Sequence, residues 1–194
     1  MKKLTLYRHS EKTQDGNHIS FTDGLRLAMA TGATITDNIS HVFHGPLPRT
    51  AETACYLVAG NPNAFSDATQ HDPIVGLGDN DLFSEMFPDN VRNLVGKYSV
   101  LGAVFQGHGD TVASEFAQRG IDAINEMFDL MENDEIGVGM FHDPTISLAA
   151  HFIGLPNARS LKSMESITFI QDDDGNIKAI GINPAGVVEA ALVG

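Results

Sequence analysis

The chain has 194 residues, and its apolar content of 42% suits one globular domain with a full core and little room for a second. Its 12 basic residues against 25 acidic ones give a net charge of −13, so the outer field repels nucleic acid and anionic membrane surfaces. The single cysteine excludes an intrachain disulfide, and the sequence has neither an export signal nor an apolar run of membrane-spanning length. A soluble, cytoplasmic protein that holds any anionic ligand in a local pocket is therefore predicted.

The first third of the chain alternates short strands with helices. A β-prone run at 4–7 ends in the polar cluster 8–12, and the next segment predicts a helix that ends near Gly32. A second strand at 39–43 leads into a turn, where Pro48 suits the first turn of a helix that continues to Val58. Within that helix, Cys55 is predicted to be a small buried residue.

The rest of the chain continues this alternation after a weakly patterned stretch. Residues 61–109 predict an excursion with one short helix, which would form a lid or wall. A long amphipathic helix at 111–131, a strand at 136–141 and a helix at 144–153 follow, and the runs 161–170 and 177–182 predict a hairpin. The predicted fold is a three-layer α/β/α domain over residues 1–194, with a mostly parallel central sheet and the C-terminal hairpin at its edge.

Polar residues that follow predicted strands define a candidate site. In such sheets ligands bind beyond the carboxyl ends of the strands, where Arg8, His9, Arg49 and His142 would meet. Displacement at a phosphomonoester needs a nucleophile, a charge cradle and a proton for the leaving oxygen. A neutral His9 can attack phosphorus, Arg8 and Arg49 can grip the oxygens, and His142 can add a donor.

The same residues carry a resemblance to a known family. The run Leu6-Tyr7-Arg8-His9-Ser10-Glu11 resembles the Arg-His-Gly-Glu signature of the histidine phosphatase, or phosphoglycerate-mutase-like, superfamily. The runs 21–24, 46–54, 110–119 and 141–143 are similar to its further motifs, in the same order. The resemblance implies that His9 is phosphorylated and that Arg8, Arg49 and His142 bind the phosphate. Ser10, which replaces the usual glycine, is also predicted to bind the substrate. The resemblance implies no metal and no cofactor.

The resemblance leaves two candidates for the proton donor. In the larger branch of the superfamily the acid is a glutamate in the excursion, for which Glu85 is the favoured candidate. In the other branch it is the aspartate after the second histidine, which here is Asp143. Asp143 also has a structural interpretation, because an aspartate before Pro144 is typical of a helix N-cap.

The favoured activity is hydrolysis of a small phosphorylated substrate through phosphohistidine. A phosphoglycerate-type mutase is the first alternative, although residues 59–138 contain only three basic side chains. A degenerate member that binds phosphorylated ligands or partners without turnover is the second. The natural substrate and the oligomeric state stay open. The other histidines are not expected to bind a metal: His41, His44 and His71 are predicted to be structural or pocket-rim residues, and His108 to lie in a solvent-exposed loop. The aspartates at 172–174 are expected to form a polar hairpin turn.

Overall fold

Six strands form one mixed sheet at the centre of the computed structural model, which describes residues 1–184. The strand order is β3-β2-β4-β1-β5-β6. The pairs β1–β4, β2–β4 and β2–β3 are parallel, whereas β1–β5 and β5–β6 are antiparallel. The strands are β1 Lys2–Arg8, β2 His41–His44, β3 Thr69–Gln70, β4 Ile136–Phe141, β5 Ser166–Gln171 and β6 Ile177–Asn183.

Helices cover both faces of this sheet because its central strands bury side chains on both sides. In β1, Leu6 belongs to an apolar cluster with residues of the helices after residue 100, and its neighbour Tyr7 belongs to a cluster on the other face with Ala28 and Leu57. The helices are α1 Asp23–Gly32, α2 Pro48–Gly60, α3 Asn80–Met86, α4 Asp89–Arg92, α5 Val100–Asp129 and α6 Thr145–Phe152. The predicted three-layer α/β/α fold is therefore confirmed, with the hairpin β5–β6 at the edge of the sheet.

The weakly patterned segment holds more structure than the sequence predicts. Besides α3 it contains the short helix α4, a 3₁₀ turn at Pro62–Phe65 and the edge strand β3. Helix α5 already begins at Val100 and kinks at Gly109, whose φ is +76°. Leu82, Met86 and Val104 pack with the later part of α5 in a third apolar cluster, so this segment has a small core of its own.

Two local predictions are wrong in this part of the fold. Cys55 is exposed, because the buried stripe of α2 consists of Thr50, Thr53, Ala54 and Leu57 and leaves position 55 on the outer face. The last hairpin begins at Ser166 rather than at residue 161, so residues 161–165 form the connection to it. No helix in residues 1–184 has both the length and the apolarity of a membrane span.

Candidate active site

The central sheet brings His9 and His142 together. Arg8 at the end of β1 pairs with Phe141 at the end of β4, and both histidines come one residue later on neighbouring parallel strands. The backbone N–H of His9 donates to the carbonyl of Phe141 at 2.9 Å, which extends the ladder to the histidine itself. The ring centroids lie 4.8 Å apart in an edge-to-face arrangement. Two histidines that lie 133 positions apart in the chain therefore form one pair.

His9 has the protonation and orientation that a nucleophile needs. Its side chain is buried, and Nδ1 lies 2.7 Å from the carbonyl oxygen of Ser10, so Nδ1 carries the proton and donates to that oxygen. Burial, together with the charges of Arg49 and Arg8, lowers the pKa of His9 to about 3, against the opposing effect of the Ser10 hydrogen bond. The ring is therefore neutral at pH 7, with the lone pair on Nε2.

His142 has the complementary arrangement. Nη2 of Arg49 donates to its Nδ1 at 3.4 Å, which assigns the ring proton to Nε2. Burial and the adjacent His9 hold the pKa of His142 well below its usual range, so this ring is also neutral. Its Nε2 is buried and has no partner in residues 1–184, so it is an N–H donor available to a ligand.

The two arginines add further unused donors. Nη1 of Arg8 donates to the carbonyl of Leu161, and Nη1 of Arg49 donates to the carbonyl of Gly16 at 2.7 Å. Nε of each arginine is buried without a partner. Four buried side-chain nitrogen or oxygen atoms lack a partner among residues 1–184, and three are these two Nε atoms and Nε2 of His142. Buried donors are normally satisfied, so this cluster is suited to an oxyanion.

Ser10 is part of the frame around His9 and has its donors engaged within the protein. Its hydroxyl donates to the carbonyl of Gly24 at 2.7 Å, and its backbone N–H donates to Oγ1 of Thr53 at 3.1 Å. The side chain is fully buried. Its hydroxyl ties the residue after His9 to α1, and its backbone N–H ties it to α2.

The two candidate acids lie in different environments. Asp143 is half-buried, and the burial of its carboxyl group raises its pKa, although the hydrogen bond that it accepts from Oγ of Ser147 opposes the shift. It does not cap α6, because that helix begins at Thr145 with Pro144 at the N-cap and no side-chain cap; the N-cap interpretation is wrong. Glu85 on α3 is half-exposed and forms an ion pair with Arg119 at 2.7 Å.

The residues that contact the ring of His142 were not predicted from the sequence. Phe83 contacts its ring edge-on with centroids 5.0 Å apart. Gly78 packs so closely that a β-carbon there would lie 2.4 Å from Cδ2 of His142. Asp79 follows directly and caps α3 through the N–H of Leu82. The only available signal was a glycine at a φ of +128°, a conformation that a sequence does not reveal.

The remaining histidines make contacts outside this pocket. Nδ1 of His41 lies 2.7 Å from Nε2 of His71, and Nε2 of His41 lies 2.7 Å from Oε2 of Glu135. Nδ1 of His44 bonds the carbonyl of Gly45. His108 was expected in a loop but lies in α5, where Nε2 bonds the carbonyl of Met86. Residues 1–184 contain no group of three histidine, cysteine or acidic side chains arranged to hold a metal ion.

The strand order and the helices on both faces of the sheet define the structural class of the chain, which has the fold of the histidine phosphatase, or phosphoglycerate-mutase-like, superfamily. Among solved structures it is similar to a phosphoserine phosphatase from Entamoeba histolytica in complex with 3-phosphoglyceric acid, with a TM-score of 0.65, 18% identity, and coverage of 95% of this chain and 98% of that one. The resemblance expected from the sequence is confirmed at the level of the fold.

Two further solved structures support the same class. A phosphoglycerate mutase from Bacillus anthracis has a TM-score of 0.64 at 13% identity, covering 92% of each chain. An alpha-ribazole phosphatase from Shigella flexneri has a TM-score of 0.62 at 15% identity, covering 97% of this chain and 99% of that one. The sequence matches no protein-family model and no curated protein.

Proposed function

We propose that this protein hydrolyses phosphomonoesters through a phosphohistidine on His9 and needs no metal. The observation that supports this most directly is the cluster of unpartnered buried donors, Nε of Arg8, Nε of Arg49 and Nε2 of His142, around a neutral imidazole. Two guanidinium groups balance the charge of a phosphomonoester dianion, and the structural neighbours include phosphatases.

The reaction takes two displacements. Nε2 of His9 attacks phosphorus, the ester P–O bond breaks, and the leaving oxygen takes a proton from an acid. A water molecule then attacks the phosphohistidine, its proton passes to the carboxylate formed in the first step, and the P–N bond breaks to release phosphate. The hydrogen bond from Nδ1 to the Ser10 carbonyl fixes the ring during both steps and stabilises the positive charge that develops on it.

We assign the proton donor to Asp143. A raised pKa favours a general acid, and burial raises the pKa of Asp143, whereas Glu85 is half-exposed and paired with Arg119. A leaving-group comparison tests the assignment. Asp143→Asn should slow hydrolysis of O-phosphoserine by about 10²–10⁴-fold and that of 2,4-dinitrophenyl phosphate much less, because a dinitrophenolate leaves without a proton. Glu85→Gln and Asp79→Asn are matched controls. If either variant shows a larger difference between the two substrates than Asp143→Asn does, the role of proton donor belongs to that residue.

Turnover itself is tested with purified protein in excess chelator. Hydrolysis of p-nitrophenyl phosphate should persist, and His9→Ala should lower kcat by at least about a thousandfold while the control His151→Ala, an exposed histidine on α6, keeps the activity. Rapid quenching into base should trap an acid-labile phosphoenzyme. An unimpaired His9→Ala variant would refute the proposal. Faster isomerisation of 3-phosphoglycerate than hydrolysis would favour a mutase, and phosphate binding without turnover would favour a binding protein.

A further inference from the structure

The loop between β1 and α1 forms an ordered rim beside the phosphate pocket. In this rim loop, residues 11–20, the N–H of Thr13 donates to the carbonyl of His18 at 2.9 Å, and the N–H of Ser20 donates to that of Glu11 at 2.7 Å. Glu52 on α2 holds it from outside, because its carboxylate accepts from the N–H of Ile19 at 2.8 Å and bonds His18. The rim loop is therefore fixed to the helix that carries Arg49.

Lys12 lies on the side of this loop that adjoins the pocket. Gly16 is the contact between loop and pocket, because its carbonyl accepts the hydrogen bond from Arg49. A β-carbon built on Gly16 would lie 3.7 Å from Nζ of Lys12, so the ammonium group sits beside the same glycine. The charge of Lys12 also contributes to lowering the pKa of both His9 and His142, which is consistent with this position.

Lys12 is a cation that the protein itself does not neutralise. Its side chain is exposed, and none of the ion pairs formed within residues 1–184 includes it. Arg8 and Arg49 already match the two charges of a phosphomonoester, while both histidines are neutral. An additional ammonium at the rim of a protein with a net charge of −13 is thus left for a second negative group.

We propose that Lys12 binds a second anionic group of the substrate, a carboxylate or a second phosphate, and so selects phosphomonoesters that carry one. This inference rests on the proposed phosphatase activity. Lysine suits the role because its ammonium group is a point charge on a flexible stem, able to reach anions at differing distances from the ester. Rim electrostatics of this kind act chiefly through substrate binding, so the preference should appear mainly in KM.

The test compares matched substrates in the full-length protein at low ionic strength. O-phosphoserine and O-phosphoethanolamine differ by a carboxylate, and fructose 1,6-bisphosphate and fructose 6-phosphate differ by a phosphate. Lys12→Gln should reduce the kcat/KM ratio within one of these pairs by about tenfold, the effect of one charge-assisted hydrogen bond. The pair that responds identifies the anion. A change of less than about threefold in both ratios would overturn the inference.

Two controls separate this result from other failures. Lys178→Gln removes the same charge from β6 and should leave both ratios unchanged. Lys178 is exposed and pairs with Ile170, near the end of the sheet opposite to His9. If no ester is hydrolysed, the proposed function fails. The role of Lys12 can still be tested, because calorimetry measures the affinity of the wild type and of Lys12→Gln for the same esters. If the two esters of each pair bind with equal affinity, in the wild type and in the variant alike, the role of Lys12 is refuted independently of turnover.

Discussion

The buried neutral state of His9 makes a quantitative prediction about acid stability. In the unfolded chain an imidazole has a pKa of 6.5, whereas in the folded protein burial lowers the pKa of His9 to about 3. Below pH 6.5 the unfolded state therefore takes up a proton that the folded state does not. The contribution of His9 to the free energy of unfolding is fully present above pH 6.5 and is lost progressively as the pH falls toward 3.

The size of this loss follows from the two pKa values. Between pH 7 and pH 5 His9 should reduce the free energy of unfolding by about 2 kcal/mol, because each pH unit below 6.5 costs up to about 1.4 kcal/mol. His142, whose pKa is also lowered, acts in the same direction. Denaturant titrations at both pH values, in buffers without phosphate or other oxyanions, measure the change for the wild type and for His9→Asn, whose side chain does not titrate.

The variant should lose about 2 kcal/mol less than the wild type over this interval. An equal loss in both proteins would refute the conclusion that His9 is held neutral by burial. It would also remove the basis for treating the ring as a nucleophile that stays unprotonated in mildly acidic solution.

Three further predictions concern the pocket and the core. Gly78→Ala should lower the free energy of unfolding by about 2–4 kcal/mol and remove most of the activity, since its β-carbon would overlap His142. Gly96 also has a positive φ but has open space around it, so Gly96→Ala should cost only about 1–2 kcal/mol. Thermal and denaturant unfolding measure both changes. Arg49→Lys should lower kcat/KM for p-nitrophenyl phosphate by about 10–100-fold, because the donors of an ammonium group all lie on one atom and lack the spread of the guanidinium group, whose Nη1 bonds the Gly16 carbonyl while Nε stays free for the phosphate; a loss under threefold would contradict this. Phe128→Ala should destabilise the protein by about 3–5 kcal/mol, against less than about 0.5 kcal/mol for the exposed Leu130→Ala, as measured by denaturant unfolding.

The sequence predicted the central sheet and the four residues of the pocket because both depend on strong local signals. The runs that became β1 and β4 are short and β-prone, and each ends abruptly in charged or imidazole side chains that a buried strand would not tolerate. Proximity then follows from topology, since the ends of neighbouring parallel strands meet at one edge of the sheet.

The parts that the sequence did not predict depend on contacts between distant segments. Both residues of β3, Thr69 and Gln70, are exposed, so no alternation of apolar residues marks this strand. The start of α5 owes its burial to packing against α4, which a local pattern does not encode. The cap interpretation of Asp143 was wrong because an aspartate before a helical proline is usually a cap, whereas here its carboxyl group accepts a hydrogen bond from Ser147 in α6.

The sheet holds the backbones of His9 and His142 side by side, because each residue continues a strand of the parallel β1–β4 pair by one position. The strands therefore set the positions of the two backbones, whereas Gly78, Phe83 and Arg49 also constrain the ring of His142. Segments that touch neither ring can consequently be exchanged to admit another ester while the histidine pair keeps its geometry. Redesign of ligand range in this scaffold should thus leave unchanged both the sheet and the segment 78–83 that packs on His142.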